Sequence, residues 1–249
     1  MKRMFSLILA VLLTLSMLAG CGGQKTPETT APVNLPETTA PDAAPETTAP
    51  VPETTEPALE ERPLALGVVE GDTYTNTYAG FGCTLGSGWT IIPADQLQEL
   101  PVIVQDAVEG TAVGEAMQDV QQFTDMAAEN AELVTNMNVL FQKLGMQERL
   151  AYMLLNEEDV VDATLSQKDL MIEAYTAMGL NVSSMEKVSV NFLGEKHFAL
   201  KTVAETEGIP CYMLQVFRHD LGEYMVTMTL TSFLEDNTES VLELFYAVE

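Results

Sequence analysis

Between Lys187 and Leu230, apolar and polar residues alternate in four blocks: KVSVNF, HFALKTVA, CYMLQVF and YMVTMTL. A period of two marks a strand whose two faces meet different surroundings. In the last block Tyr224, Val226, Met228 and Leu230 share one face, and Thr227 and Thr229 the other. The connections at 193–196, 205–210 and 219–223 are too short for a crossover, so the four blocks are predicted to form an antiparallel meander. Upstream, FTDMAA and NMNVLFQKL read as two strands around a turn at 129–132. Thr73 to Leu85 is one β-rich run, Gly86-Ser87-Gly88 a turn, and Trp89–Ile92 a short strand.

Other stretches carry helical composition. Ala94 to Val108 is interrupted at Pro101, a residue that suits the first position of a new helix. Residues 147–163 have helical composition. Ser166-Gln167-Lys168-Asp169 resembles a capping box with Asp in place of Glu. The helix it opens has Leu170, Met171, Ala174, Tyr175 and Met178 on one face and stops at Gly179. A last helix from 236–238 carries Val241, Leu242, Phe245 and Tyr246. These elements predict an α+β domain: mostly antiparallel sheet with a C-terminal four-strand meander, and helices packed on it.

The N-terminal pattern is different. Met1-Lys2-Arg3 precedes an apolar run from Met4 to Leu18, the layout of a secretory signal. The run is shorter than the roughly 20 residues a spanning helix needs. Leu18-Ala19-Gly20-Cys21 resembles the lipobox of bacterial lipoproteins. That resemblance implies cleavage between Gly20 and Cys21, thioether lipidation of Cys21 and acylation of the new amine. Two or more acyl chains give stable anchoring, so the expected location is the outer face of the cell membrane. PETTAP then recurs at 27–32, 36–41 and 45–50, followed by PETTEP at 52–57. With no aromatic residues and few apolar ones, 21–63 is expected to be a lipidated Cys plus a disordered, proline-extended linker. The division is therefore 1–20 leader, 21–63 linker and 64–249 globular domain.

The chain has 37 acidic residues against 11 Lys and Arg, a net charge of −26. The domain alone is near −22. Such a charge repels phosphate backbones and anionic headgroups and tolerates cationic partners; nucleic acid is excluded. Cys83 and Cys211 sit in strand-like stretches. A disulfide is open to them outside the cytosol, but their alternation with core residues favours two buried thiols. There is no CxxC or Cys/His spacing, so no metal site and no cofactor is assigned. Gly86-Ser87-Gly88 is not a nucleophile elbow. His197 and His219 each flank a turn and read as solvated. Asn156-Glu157-Glu158-Asp159, with Asp162, lacks the alternate ligands and glycine of a calcium loop; it reads as an N-cap with acids in the first turn. No catalytic residue emerges.

YTNTYAGFGCTLGSGW, FTDMAAENAELVTNMNVLF, the Ser-capped helix, LGEKHFAL and GEYMVTMTLTS together resemble uncharacterised surface lipoproteins of clostridia-like Gram-positive bacteria. The domain of that group is similar to a PsbP/Mog1-like α/β/α sandwich. The resemblance covers most of 66–249, with a departure at Gly86-Ser87-Gly88-Trp89 and an insertion-like segment at 145–163. It implies binding or assembly rather than catalysis, and it carries over no site residue. The insertion carries Met146, Leu150, Tyr152, Met153, Leu154, Val160 and Val161 close together, rimmed by acids such as Glu148, Glu157 and Asp159. Seven apolar side chains exceed what one short helix need bury, the composition of a partner surface; the alternative is a helical hairpin packed wholly onto the sheet. Tyr152, Met153 and Leu154 are the expected contacts with a protein or cell-wall partner. The sequence thus points to a lipid-anchored extracellular binding or accessory module without enzymatic activity. The alternative is an exported hydrolase with a carboxylate-based site.

Overall fold

In the computed structural model, residues 63–97, 108–117 and 120–248 are described. The leader, the Gly20–Cys21 junction, the linker up to residue 62 and the Pro101 helix start lie outside them. Eleven strands form among the described residues: β1 (Val68–Glu70), β2 (Thr73–Asn76), β3 (Phe81–Thr84), β4 (Trp89–Ile91), β5 (Gln122–Asn130), β6 (Thr135–Lys143), β7 (Asn181–Phe192), β8 (Glu195–Thr206), β9 (Ile209–Leu221), β10 (Tyr224–Phe233) and β11 (Phe245–Ala247). The helices are short: α1 (Ala94–Leu97), α2 (Ala112–Met117), α3 (Met146–Tyr152), α4 (Glu157–Ser166), α5 (Lys168–Ala177) and α6 (Thr238–Leu242). No helix among the described residues is long and apolar enough to cross a membrane.

Two antiparallel sheets result. One has the order β1-β2-β3-β11, the other β4-β5-β6-β10-β9-β8-β7. The fold is therefore a sandwich of β-sheets; the expected α+β domain with helices packed on one sheet, and with it the PsbP/Mog1-like α/β/α sandwich, is overturned by the second sheet. Two local events create that sheet. The run from Thr73 to Leu85 folds back on itself: the Asn76 side chain accepts from the Ala79 amide at 2.8 Å, the Gly80 amide bonds the Asn76 carbonyl, and β2 pairs with β3. The residues expected at the end of the last helix instead extend as β11 and pair with β3, Phe245 opposite Cys83. Tyr74, Phe81 and Leu85 of this small sheet then pack against Val139, Leu214 and Met228 of the large one.

Polar ties cross the same interface. The β5–β6 register shifts between Thr124 and Met126, and Asp125 at that bulge reaches the small sheet. It accepts from the Tyr74 hydroxyl at 2.6 Å, Asn76 Nδ2 at 2.7 Å and the Gly67 amide. Burial first, and then the Asp125 charge, push the Tyr74 hydroxyl far above the ordinary tyrosine range. A side chain at Gly67 would strike this knot, since a Cβ there lies 2.7 Å from Asp125 Oδ2.

The other face of the large sheet is also covered. Val160 and Val161 of α4 and Met171 and Tyr175 of α5 join Leu200 and Met213 in a second cluster. The threonine face of β10 is consequently not wet: Thr227, Thr229 and Thr231 are all buried. Asn136 and Asn138 on β6 are buried too, and none of their four amide atoms has a hydrogen-bond partner.

Short polar side chains set the helix boundaries here. The helical stretch over 147–163 divides into α3 and α4 at Asn156, the N-cap expected there. Its Oδ1 accepts from the Asp159 amide at 3.0 Å while its own amide donates to Asp159 Oδ2 at 3.1 Å, a reciprocal capping box. Ser166 opens nothing; it ends α4, and its hydroxyl donates back to the Ala163 carbonyl at 2.6 Å. A serine whose hydroxyl finds an acceptor one turn back is unavailable as a cap, and α5 begins after Gln167 with no side-chain cap.

Candidate functional site

Both histidines line one pocket of about 480 Å³. Antiparallel pairing puts them there: His197 lies near the start of β8 and His219 near the end of β9, and those two ends sit at the same edge of the sheet. The β7–β8 turn delivers His197 tightly, with Leu193 and Gly194 both at positive φ, the two-residue geometry that keeps register. On the opposite flank a bulge is decisive. Leu221 faces Tyr224 and Arg218 faces Val226, so His219 and Asp220 together oppose Met225. In a regular strand successive side chains alternate between faces. Here Phe217, Arg218, His219 and Asp220 all line the same pocket. Re-aiming a side chain is what a bulge does. The β2–β3 turn contributes Gly80, and Tyr78 fixes that turn by donating its hydroxyl to the Leu221 carbonyl.

Glu157, first residue of α4, completes the wall. Its Oε1 lies 2.8 Å from His197 Nδ1. A carboxylate only accepts, so Nδ1 carries the proton and Nε2 is the ring nitrogen left over. The Phe192 ring stands edge-on to His197 at 5.4 Å. His219 Nε2 sits 3.0 Å from the Leu155 carbonyl, and a carbonyl also only accepts, so this nitrogen is the donor. Arg218 forks onto Asp220 at 3.2 and 3.3 Å. Burial raises the Asp220 carboxyl, but the Arg218 hydrogen bonds and charge outweigh it and hold it below the usual range.

Leu155 joins this pocket to α3. Met146 and Leu150 lie one turn apart on α3, Met153 is its C-cap and Leu154 follows in the turn; this apolar stripe is exposed throughout, Met146 at 78% and Leu154 at 86%. The buried side of α3 is held by Tyr152, whose ring lies 6.5 Å from His219, and by Arg149, which pairs with Glu223 at 3.0 Å. Glu148 secures the start by accepting from the Gly145 amide at 2.7 Å. Of the three expected contact residues, Met153 and Leu154 face out, but Tyr152 is 5% exposed and belongs to the core.

Cys83 and Cys211 are free and buried, one in each core cluster. Burial pushes both thiols up to about 12, leaving no thiolate for chemistry. Among the described residues no group of three or more His, Cys, Asp and Glu side chains could hold a metal ion. The pocket itself escaped the sequence reading, which took each histidine as a solvated turn. The signal was present: in a meander, the head of one strand and the tail of the next share an edge. The bulge that gathers residues 218–220 left no sign in the alternation. No protein-family model and no curated protein matches this chain.

Proposed function

We propose that the chain is a lipid-anchored extracytoplasmic binding or accessory module, tethered through Cys21, that holds its partner on α3 and the adjoining histidine pocket. The observation that carries this reading is the apolar surface of α3 and the turn after it: Met146, Leu150, Met153 and Leu154 face solvent while Tyr152 anchors the helix on its other side. Contiguous exposed apolar surface rimmed by polar residues is a mark of an interaction site. The basic N terminus, short apolar run and LAGC sequence support the anchor.

The pocket chemistry supports binding over hydrolysis. None of its lining residues is Ser, Thr or Cys. A carboxylate-pair hydrolase needs one carboxyl held protonated. Asp220 moves the other way, Glu157 is committed to His197, and Glu195, the third carboxylate of the lining, is exposed to solvent. One observation keeps the hydrolase as a second reading: an imidazole oriented through Nδ1 by a carboxylate is the arrangement of a general base.

Affinity capture from intact cells tests the proposal. Met153→Ser with Leu154→Ser should lower partner recovery at least tenfold with an unchanged thermal midpoint, and Cys21→Ser should abolish lipid labelling. Undiminished recovery by the α3 variant rejects the binding surface; normal labelling of Cys21→Ser rejects the anchor. Hydrolysis lost specifically in His197→Ala would favour the second reading.

A further inference from the structure

We infer that the partner is a basic amphipathic segment, which lays its apolar face along Met146, Leu150, Met153 and Leu154 and sets a lysine or arginine against the carboxylates of the pocket mouth. This rests on the binding reading above and names the chemistry of the occupant.

Three observations converge on it. The first is shape. Met146 and Leu150 sit about 6 Å apart along the α3 axis at 1.5 Å per residue, and Met153 and Leu154 carry the apolar surface on into the turn that follows. An amphipathic helix docks on such a face through its own i, i+4 and i+7 anchors. Two of the stripe's four members are methionines, whose unbranched side chains adapt to a partner.

The second is continuity. Leu154 is the most exposed residue of the stripe, and the next residue, Leu155, gives its carbonyl to His219 in the pocket. Glu157, two residues further on, is pocket wall. An occupant that covers Leu154 therefore reaches the pocket mouth with its neighbouring side chain.

The third is charge. Three cations of the domain are already engaged: Arg149 by Glu223, Lys187 by Glu158 and Asp162, and Arg218 by Asp220. Lys143, at the end of the preceding strand, and Lys196, between Glu195 and His197 of the pocket, are outnumbered by Glu148, Glu157, Asp159 and Glu195. The chain as a whole carries −26, so the long-range field adds to the local one. Such a surface attracts a basic segment and repels an acidic one or an anionic bilayer.

The test uses the full chain and three fluorescently labelled synthetic 14-residue peptides: a Leu/Lys amphipathic helix, the same helix with every Lys replaced by Glu, and a scrambled Leu/Lys peptide of equal charge. Anisotropy should report binding of the first, at least tenfold tighter than the scrambled peptide, weakening with added salt, and none of the Glu peptide. Leu150→Ser with Leu154→Ser should weaken it at least tenfold, and Glu157→Gln severalfold, while Leu66→Ser, exposed elsewhere, changes nothing. Equal binding of the scrambled or the Glu peptide, insensitivity to the stripe variant, or preferential binding to phosphatidylglycerol vesicles overturns the inference. If no peptide binds while cellular capture still depends on Met153 and Leu154, the occupant class is wrong and the binding reading stands. If capture is also indifferent to those residues, both fall.

Discussion

Single residues decide more here than their burial suggests. Asn138 is fully buried on β6 between Ala127 and Thr229, and neither of its amide atoms has a partner. A buried polar atom without a bond costs about 1–3 kcal/mol, and replacing it with an apolar group of the same shape removes that cost. Leucine has the same branched outline as asparagine. Asn138→Leu should therefore leave the thermal midpoint unchanged or raise it by a few degrees. A fall of more than about 2 kcal/mol in denaturant titration would instead reveal a buried water or ligand serving the amide. The same residues explain part of what the sequence concealed. Alternation in β10 correctly separated Tyr224, Val226, Met228 and Leu230 from the threonines, but polarity alone says that a face differs from its opposite, not that it is wet. Thr227, Thr229 and Thr231 lie under a second cluster.

At the level of elements, the long strands were legible and helix ends only in part. A period of two survives wherever one face is buried and the other differs, so the β5–β6 hairpin and the β7–β10 meander could be read, but not the pairing of β6 with β10 that joins them. Helix limits depend on which partner a short side chain finds: Asn156 accepts from the Asp159 amide and starts a helix, whereas Ser166 donates to the Ala163 carbonyl and ends one. α6 is a further case. Asp236, just ahead of it, accepts from the Thr238 amide and hydroxyl, and pairs at 2.5 Å with Lys201, a buried lysine on β8. Burial works against the Asp236 charge, yet Lys201 and Thr238 hold its carboxyl below the usual range. Its folded pKa thus lies below the unfolded value of about 3.9. The stabilisation is complete above that value and is lost as pH falls through the folded pKa. Asp236→Asn should destabilise the protein at pH 7 by about 1–2 kcal/mol, less than a wholly buried pair because the carboxylate is 38% exposed. Its deficit should shrink as pH drops below about 4, and melting curves across pH 2–7 measure both effects. A deficit constant across that range would show that Asp236 acts through α6 geometry and not through its charge.

The whole molecule was the hardest scale to read, because the small sheet is assembled from both ends of the domain. β3 recruits β11 from the far end of the chain, and no local pattern announces a partner that distant. Three residues, Phe245-Tyr246-Ala247, are also too few to separate a strand from the last turn of a helix by periodicity. Side-chain direction does separate them. Phe245 is buried, its ring 5.7 Å from Phe81 and 6.2 Å from Phe192, so it bridges the two sheets. Tyr246, the next residue, is exposed. Phe245→Ala should cost about 3–5 kcal/mol, the range for a buried phenylalanine. For a domain of this size that lowers the thermal midpoint by roughly 10 °C. Tyr246→Ala should stay within about 0.5 kcal/mol, as surface substitutions do. The contrast between neighbours is what a strand closing a sandwich demands, and chemical denaturation of the two variants measures it. Equal, small losses at both positions would leave β11 detached and the small sheet with only its three N-terminal strands, β1, β2 and β3.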